Sequence, residues 1–196
     1  MSAPSDATYP DESGRQGVWR VLRAAEFERW LRAQSRVPSS IRYIVDHHTW
    51  SPSVTPQDPG RFRAQVQDIF RYYQKPTSQG GRGWGPNRGP QLWLGAIAGE
   101  PWVVIALSLW VHGPHCAYFN ACSVGIETVW NGDVRAWTEP ICEGLYLIHR
   151  ALERRLGIPL RRGVTGPTNT NVPTSTGKGW LFHRDARGAN KSCPGW

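Results

Sequence analysis

Histidine, cysteine and glutamate side chains that could support metal-assisted hydrolysis occur in three separate segments of the sequence. His47 and His48 follow a short apolar run, Glu127 ends the run Ser-Val-Gly-Ile-Glu, and nine residues separate His183 from Cys193. Two imidazoles and one thiolate leave the fourth position of a zinc ion open, which is typical of catalytic rather than structural zinc sites. The histidines and the cysteine also have an ordinary structural explanation. A single histidine at a strand end is usually a hydrogen-bonded polar residue with no role in chemistry, and a single cysteine is usually a small buried hydrophobe.

Two charged residues could complete such a site. Glu127 lies in an otherwise apolar stretch, where a carboxylate has to be paired, metal-bound or catalytic. It could act as a general base on zinc-bound water, or form a structural ion pair with an arginine. Lys191 lies two residues before Cys193 and could stabilise the oxyanion of a tetrahedral intermediate, or be a solvated surface charge.

Periodic apolar residues predict the elements that position these side chains. Spacings of three and four residues predict helices, and short apolar runs rich in β-branched residues predict strands. The helices are expected at 24–34, 62–73 and 139–156, and the strands at 42–46, 92–97, 102–109 and 123–129. We expect the strands to form a sheet, with His47 just after its first strand and Glu127 inside its last.

Glycine- and proline-rich segments mark the loops and the N-terminus. The run at 80–90 lacks the GK[ST] ending of a phosphate-binding loop and is interpreted as a surface loop. It carries Trp84, and an aromatic side chain on such a loop can stack on a sugar ring. Residues 1–17 are expected to form a flexible arm, followed by one domain over 18–196.

Composition limits the class of protein. A chain of 196 residues with 39% hydrophobic residues can bury a core, and it contains no apolar run long enough to cross a membrane. No signal peptide is recognisable, so we expect synthesis in the cytoplasm and no stable membrane insertion. The net charge of +8 attracts polyanions, but the arginines are scattered and do not predict a nucleic-acid partner. Cys116 and Cys122 could close a loop as a disulfide, or remain free thiols in a reducing cytosol.

Three ordered motifs together resemble the type 2 N-acetylmuramoyl-L-alanine amidases, which include phage endolysins, cytosolic anhydro-muropeptide amidases and peptidoglycan recognition proteins. The motifs are Ile-Val-Asp-His-His-Thr at 44–49, the segment from His112-Gly113 through Asn120 to Ser-Val-Gly-Ile-Glu at 123–127, and His-Arg-Asp at 183–185 followed by Lys-Ser-Cys-Pro-Gly at 191–195. The resemblance spans residues 42–196. It implies an α/β fold with a mixed central β-sheet flanked by helices, and a groove over one Zn2+ per chain.

The resemblance also implies roles for the reactive residues. His47, His183 and Cys193 match the zinc ligands, and the reaction is cleavage of the amide between the lactyl group of muramic acid and L-alanine. Glu127 matches the base of the cytosolic members, and Lys191 matches the lysine that stabilises the oxyanion.

Other matched residues are expected to bind substrate. His112 matches a groove residue, His48 matches the second, non-ligand histidine of the pair, and Asn120 and Trp84 are expected to contribute contacts. Gln91 stands where many phage and animal members have a catalytic tyrosine, so Glu127 would have to act as the base.

The predicted function is therefore a monomeric zinc amidase that acts on bacterial peptidoglycan, in the setting of a phage endolysin released through a holin. Cysteine as the third ligand is typical of phage lysins and catalytic recognition proteins, whereas recycling amidases carry aspartate. The alternatives are a non-catalytic protein that binds muropeptides and a cytosolic recycling amidase. Another zinc hydrolase and a nucleic-acid-binding protein are more remote alternatives.

Overall fold

The computed structural model describes residues 9–10, 16–34, 39–49, 51–52, 54–83, 88–109, 115–131, 136–187 and 193. Eight strands and three α-helices lie within these residues. The strands are β1 (Tyr9–Pro10), β2 (Gln16–Gly17), β3 (Arg20–Arg23), β4 (Tyr43–His48), β5 (Leu92–Ile97), β6 (Glu100–Ile105), β7 (Ser123–Thr128) and β8 (Gly179–Phe182). The helices are α1 (Ala24–Arg32), α2 (Pro59–Gln74) and α3 (Glu139–Leu156).

Six of the strands form one mixed sheet in the order β3-β6-β5-β7-β4-β8. Strand β4 pairs in parallel with both β7 and β8, and β5 also pairs in parallel with β7. The antiparallel pairs β5–β6 and β3–β6 complete the other half of the sheet. The prediction of an α/β fold with a mixed central sheet flanked by helices is confirmed.

The two faces of the sheet are covered by different helices. Helices α1 and α3 pack on one face, where Phe27 and Ile148 contact a core that includes Ile126 of β7. Helix α2 packs on the other face, where Phe62 joins a core that includes Trp93 of β5. Because side chains alternate along a strand, Glu127 projects to the face opposite Ile126, which is the α2 face.

Several predicted boundaries need correction. The strand expected at 42–46 continues to His48, so both histidines belong to β4 itself. The strand expected at 102–109 begins at Glu100 and ends at Ile105, because the amides of Ala106 and Leu107 both donate to the carbonyl of Gln91 and turn the chain out of the ladder. The helix expected at 24–34 ends at Arg32.

Two strands of the main sheet are not indicated by the sequence. β3 and β8 are only four residues each, too short for alternation to distinguish them from loops. β8 follows a Gly/Thr/Asn-rich loop and gains its extended conformation by pairing with the buried strand β4. This pairing of β8 with β4 brings the His-Arg-Asp motif at 183–185 next to the Ile-Val-Asp-His-His-Thr motif at 44–49.

The remaining predictions about the polypeptide have mixed outcomes. Most of the arm expected at 1–17 lies outside the described residues, and its described parts are β1 and β2, which pair antiparallel.

Cys116 and Cys122 are both free thiols. Burial, as the main cause, raises the pKa of Cys116 to about 12. Within the described part of the chain, no helix is both long and apolar enough to cross a bilayer.

Candidate metal centre

Parallel pairing brings two of the predicted metal ligands to the same edge of the sheet. His47 is the penultimate residue of β4 and is only 3% exposed. Phe182, the last residue of β8, lies opposite Asp46, so His183 leaves the sheet beside His47. The carboxyl ends of parallel strands meet at one edge, where α/β proteins commonly place their sites.

The three predicted ligands converge. The ligand atoms of His47, His183 and Cys193 all lie within 4.8 Å of one another, and the two imidazole centroids are 4.5 Å apart. Two imidazole nitrogens and one sulfur form a donor set that suits Zn2+, and three protein ligands leave a position for a reacting molecule. These residues therefore fit a catalytic zinc ion by the chemistry of their donor atoms.

Main-chain groups of both histidine segments hold Cys193. The amide of His48 donates to Sγ of Cys193 at 3.2 Å, and the amide of Arg184 donates to its carbonyl oxygen at 2.8 Å. A hydrogen bond to sulfur favours the thiolate form that a metal requires. A contact between the His48 side chain and substrate stays a prediction.

A buried carboxylate fixes the turn that carries His183. Asp185 is fully buried, and its two oxygens accept from the amide of Phe182 at 3.0 Å and from the guanidinium of Arg162 at 2.5 Å. These contacts tie the 3₁₀ turn at His183–Asp185 to the end of β8. Asp185 thus fixes the backbone next to His183, one of the candidate ligands.

We expect Asp185→Ala to lower the free energy of unfolding by about 1–3 kcal/mol, because the partly buried amide of Phe182 loses its acceptor. Zinc affinity should fall as well, since His183 loses its fixed turn. Asp185→Asn keeps one side-chain oxygen for the amide of Phe182 and gives up the ion pair with the half-exposed Arg162, so it should cost less than Asp185→Ala. Chemical denaturation and zinc competition check this, and equal losses in both variants would contradict the assigned role.

Glu127 lies beside the centre on the same face of the sheet. It is paired in register with His47 on one side and with Trp93 on the other, and it is 7% exposed. Tyr73 of α2 packs against Trp93, with ring centroids 6.4 Å apart. Burial raises the pKa of Tyr73 well above its ordinary value, and the negative charge of Glu127 raises it further.

Tyr73 was missed by the sequence reasoning. Its spacing in α2 indicates a core position and gives no sign that the helix brings its phenol near Glu127. Gln91, by contrast, is fully buried, and its Oε1 accepts from the amide of Gly125 at 2.8 Å. That hydrogen bond gives Gln91 a structural role next to the strand that carries Glu127.

His115 is the second residue that the sequence reasoning missed. Its Nδ1 lies 3.1 Å from Nε2 of His47, and its Nε2 lies 3.2 Å from Oγ of Ser123. Burial, followed by the nearby His183, lowers the pKa of His115 to about 3, so the ring is neutral. Asn120 could have signalled it, because its Oδ1 accepts from the amides of His115 and Cys116 and holds this turn.

The other predicted site residues are not all described. Lys191, His112 and Trp84 lie outside the described residues, and their roles stay predictions. Asn120 is described, and its side-chain oxygen Oδ1 accepts from the amides of His115 and Cys116, as given above. A substrate contact by Asn120 also stays a prediction.

Comparison with known proteins gives similarity in structure rather than in sequence. No family model matches the sequence, and no curated protein matches it. Drosophila PGRP-LB, solved as a point mutant in complex with tracheal cytotoxin, superposes with a TM-score of 0.55 at 18% identity, covering 79% of this chain and 75% of that chain. Human PGRP-IBETAC, solved with glycosamyl muramyl pentapeptide, has a TM-score of 0.54 at 14% identity, covering 80% and 77%.

A more distant neighbour is the endolysin N-acetylmuramoyl-L-alanine amidase LysCS from Clostridium intestinale, with a TM-score of 0.45 at 18% identity over 83% of this chain and 81% of that chain. The superpositions on PGRP-LB and PGRP-IBETAC, with TM-scores of 0.55 and 0.54, show a shared fold, and at 18% and 14% identity they show the fold alone. The resemblance drawn from the three motifs is thus confirmed at the level of architecture. This chain has the fold of the peptidoglycan recognition proteins.

Proposed function

We propose that this protein is a zinc-dependent N-acetylmuramoyl-L-alanine amidase. The observation that carries the proposal is the convergence of His47, His183 and Cys193 within 4.8 Å, at the sheet edge where Glu127 lies in register with His47. A binding protein would need no open metal site beside a buried carboxylate. The fold supports the substrate class, because two of the neighbours named above were solved with tracheal cytotoxin and with glycosamyl muramyl pentapeptide.

A zinc ion held by these three ligands would polarise the scissile carbonyl and lower the pKa of a bound water. Glu127 accepts the proton of the attacking water and then delivers it to the departing amine of L-alanine. The carbon–nitrogen bond breaks, leaving a lactyl carboxylate on the glycan and a new amino group on the peptide. We assign stabilisation of the oxyanion to Lys191.

The proposed substrate is the muropeptide unit of bacterial peptidoglycan, bound by a monomeric chain. We assign substrate contacts to His48, His112, Asn120 and Trp84. The net charge of +8 would attract anionic polymers of the cell wall. We propose a phage endolysin as the setting, because the third ligand is Cys193 rather than the aspartate expected of recycling amidases.

Digestion of purified peptidoglycan tests the proposal. We expect new L-alanine amino termini to appear, to be lost when zinc is removed by a chelator, and to return when zinc is added. Zinc is measured on the same protein, with about one ion per chain expected for this donor set. Stoichiometric zinc without new amines would favour a non-catalytic binding protein, and the absence of both would contradict the proposal.

A further inference from the structure

A line of three hydrogen bonds runs from the backbone to one of the metal ligands. Oγ of Ser123 lies 2.7 Å from the carbonyl oxygen of Phe119. The same Oγ lies 3.2 Å from Nε2 of His115, and Nδ1 of His115 lies 3.1 Å from Nε2 of His47. Ser123, His115 and His47 are all buried, so these contacts are shielded from competing water.

The direction of these hydrogen bonds follows from the carbonyl at the start of the line. A carbonyl oxygen can only accept, so Ser123 donates its single hydroxyl proton to Phe119 and presents a lone pair to His115. Nε2 of His115 therefore carries the proton of that ring. A second proton on His115 would place a positive charge on a buried ring, so Nδ1 of His115 is the acceptor.

We propose that His115 is a positioning residue that sets the tautomer of His47. By accepting from Nε2–H of His47, it leaves Nδ1 of His47 as the nitrogen with a lone pair for the metal. A histidine ligand whose other ring nitrogen donates to a fixed acceptor is both oriented and made more basic. This inference depends on the proposed metal site, and it assigns no contact with substrate to His115.

Two neighbouring residues hold the His115 ring where the inference requires it. A Cβ atom on Gly125 would lie 2.8 Å from Cγ and 2.9 Å from Nδ1 of His115, which is closer than real contacts allow. The ring therefore occupies the space that glycine leaves open in β7. Asn120 fixes the backbone of His115 through the amide hydrogen bond described above.

Imidazole 15N NMR of the full, metal-free chain tests the tautomers directly. We expect His115 and His47 both to be protonated at Nε2 at neutral pH. Observation of His47 protonated at Nδ1 would overturn the inference. This measurement uses the unaltered protein, so it does not depend on whether a substituted chain folds.

Zinc affinity in substituted chains tests the consequence. His115→Leu removes the acceptor and should raise the zinc dissociation constant about 10- to 100-fold, the usual effect of losing such a partner. His115→Asn places an amide oxygen near the position of Nδ1 and should recover most of the affinity. Ser123→Ala frees the tautomer of His115 and should give a smaller loss, about threefold to tenfold.

Thr128→Val is the matched control for Ser123→Ala. It removes a buried hydroxyl from the same strand, and that hydroxyl has no hydrogen-bond partner among the described residues. Its zinc affinity should equal that of the unaltered chain. If the unaltered chain binds zinc and His115→Leu binds it equally well, the role of His115 is wrong. If the unaltered chain binds no zinc, the proposed function fails while the NMR result still decides the tautomer.

Discussion

Replacing Cys193 with alanine is expected to abolish both zinc binding and peptidoglycan hydrolysis. The substitution removes the only sulfur of the described donor cluster and leaves the two imidazoles of His47 and His183. Two nitrogen ligands cannot complete the minimum protein set of a catalytic zinc site. We expect zinc affinity to fall by more than about 100-fold, beyond the effect of losing a supporting partner. Metal analysis after dialysis against a weak chelator checks the loss.

Two further variants make the result specific to the ligand. Cys142→Ala removes an exposed cysteine in the first turns of α3 and should leave zinc and activity unchanged. Cys193→Asp supplies an anionic oxygen that the amide of His48 can still reach by hydrogen bonding, so it should retain part of the zinc. A Cys193→Ala protein that keeps stoichiometric zinc and cleaves peptidoglycan would contradict the ligand assignment.

The residues of the candidate metal cluster could be predicted because the chemistry of such a cluster is carried by residue types. His47 lies in a short apolar run whose strand character is local, and Cys193 belongs to a distinctive motif. The convergence of the two is not local, because it requires β8 to pair with β4 and the amide of His48 to reach Sγ of Cys193. The sequence therefore predicts which residues converge as candidate metal ligands, and it does not specify the contacts that hold them in place.

The residues that hold the candidate ligands in place were harder to predict than the candidate ligands themselves. His115 is 68 positions from His47, and only the turn held by Asn120 and the space above Gly125 bring the rings together. The matched segment begins at His112-Gly113, so the sequence indicates His112 and does not single out His115. Tyr73 looks like a core residue in the sequence, because helical spacing reports burial and does not report which side chain a helix approaches.

The fold shows the same division between local and non-local causes. Helix α3 was located to the residue because its apolar stripe is long and Gly157 ends it in a left-handed conformation, with φ of 65°. The end of β6 was missed because the carbonyl of Gln91, not a local breaker, draws the chain out of the sheet. Elements whose own residues carry a clear apolar pattern were predicted, and the short strands β3 and β8, which depend on a partner strand, were not.

Glu127→Gln is expected to lower the rate of amide cleavage by about 100-fold or more while leaving zinc bound. Glutamine has nearly the same shape and fits between His47 and Trp93, but it cannot accept a proton at neutral pH. The loss should therefore appear in kcat rather than in metal content or stability. Glu143→Gln, at an exposed position on α3, is the control and should behave like the unaltered chain.

Tyr73 is the main alternative to Glu127 as the proton acceptor, and its raised pKa argues against that role. Burial raises the pKa of Tyr73 well above its ordinary value, so the phenol keeps its proton at neutral pH and is poorly suited to take up another. Tyr73→Phe should thus cost less than Glu127→Gln in kcat. If Glu127→Gln retains near-full activity with zinc bound, Glu127 is not the base, and a larger loss in Tyr73→Phe would place the essential proton on the phenol instead.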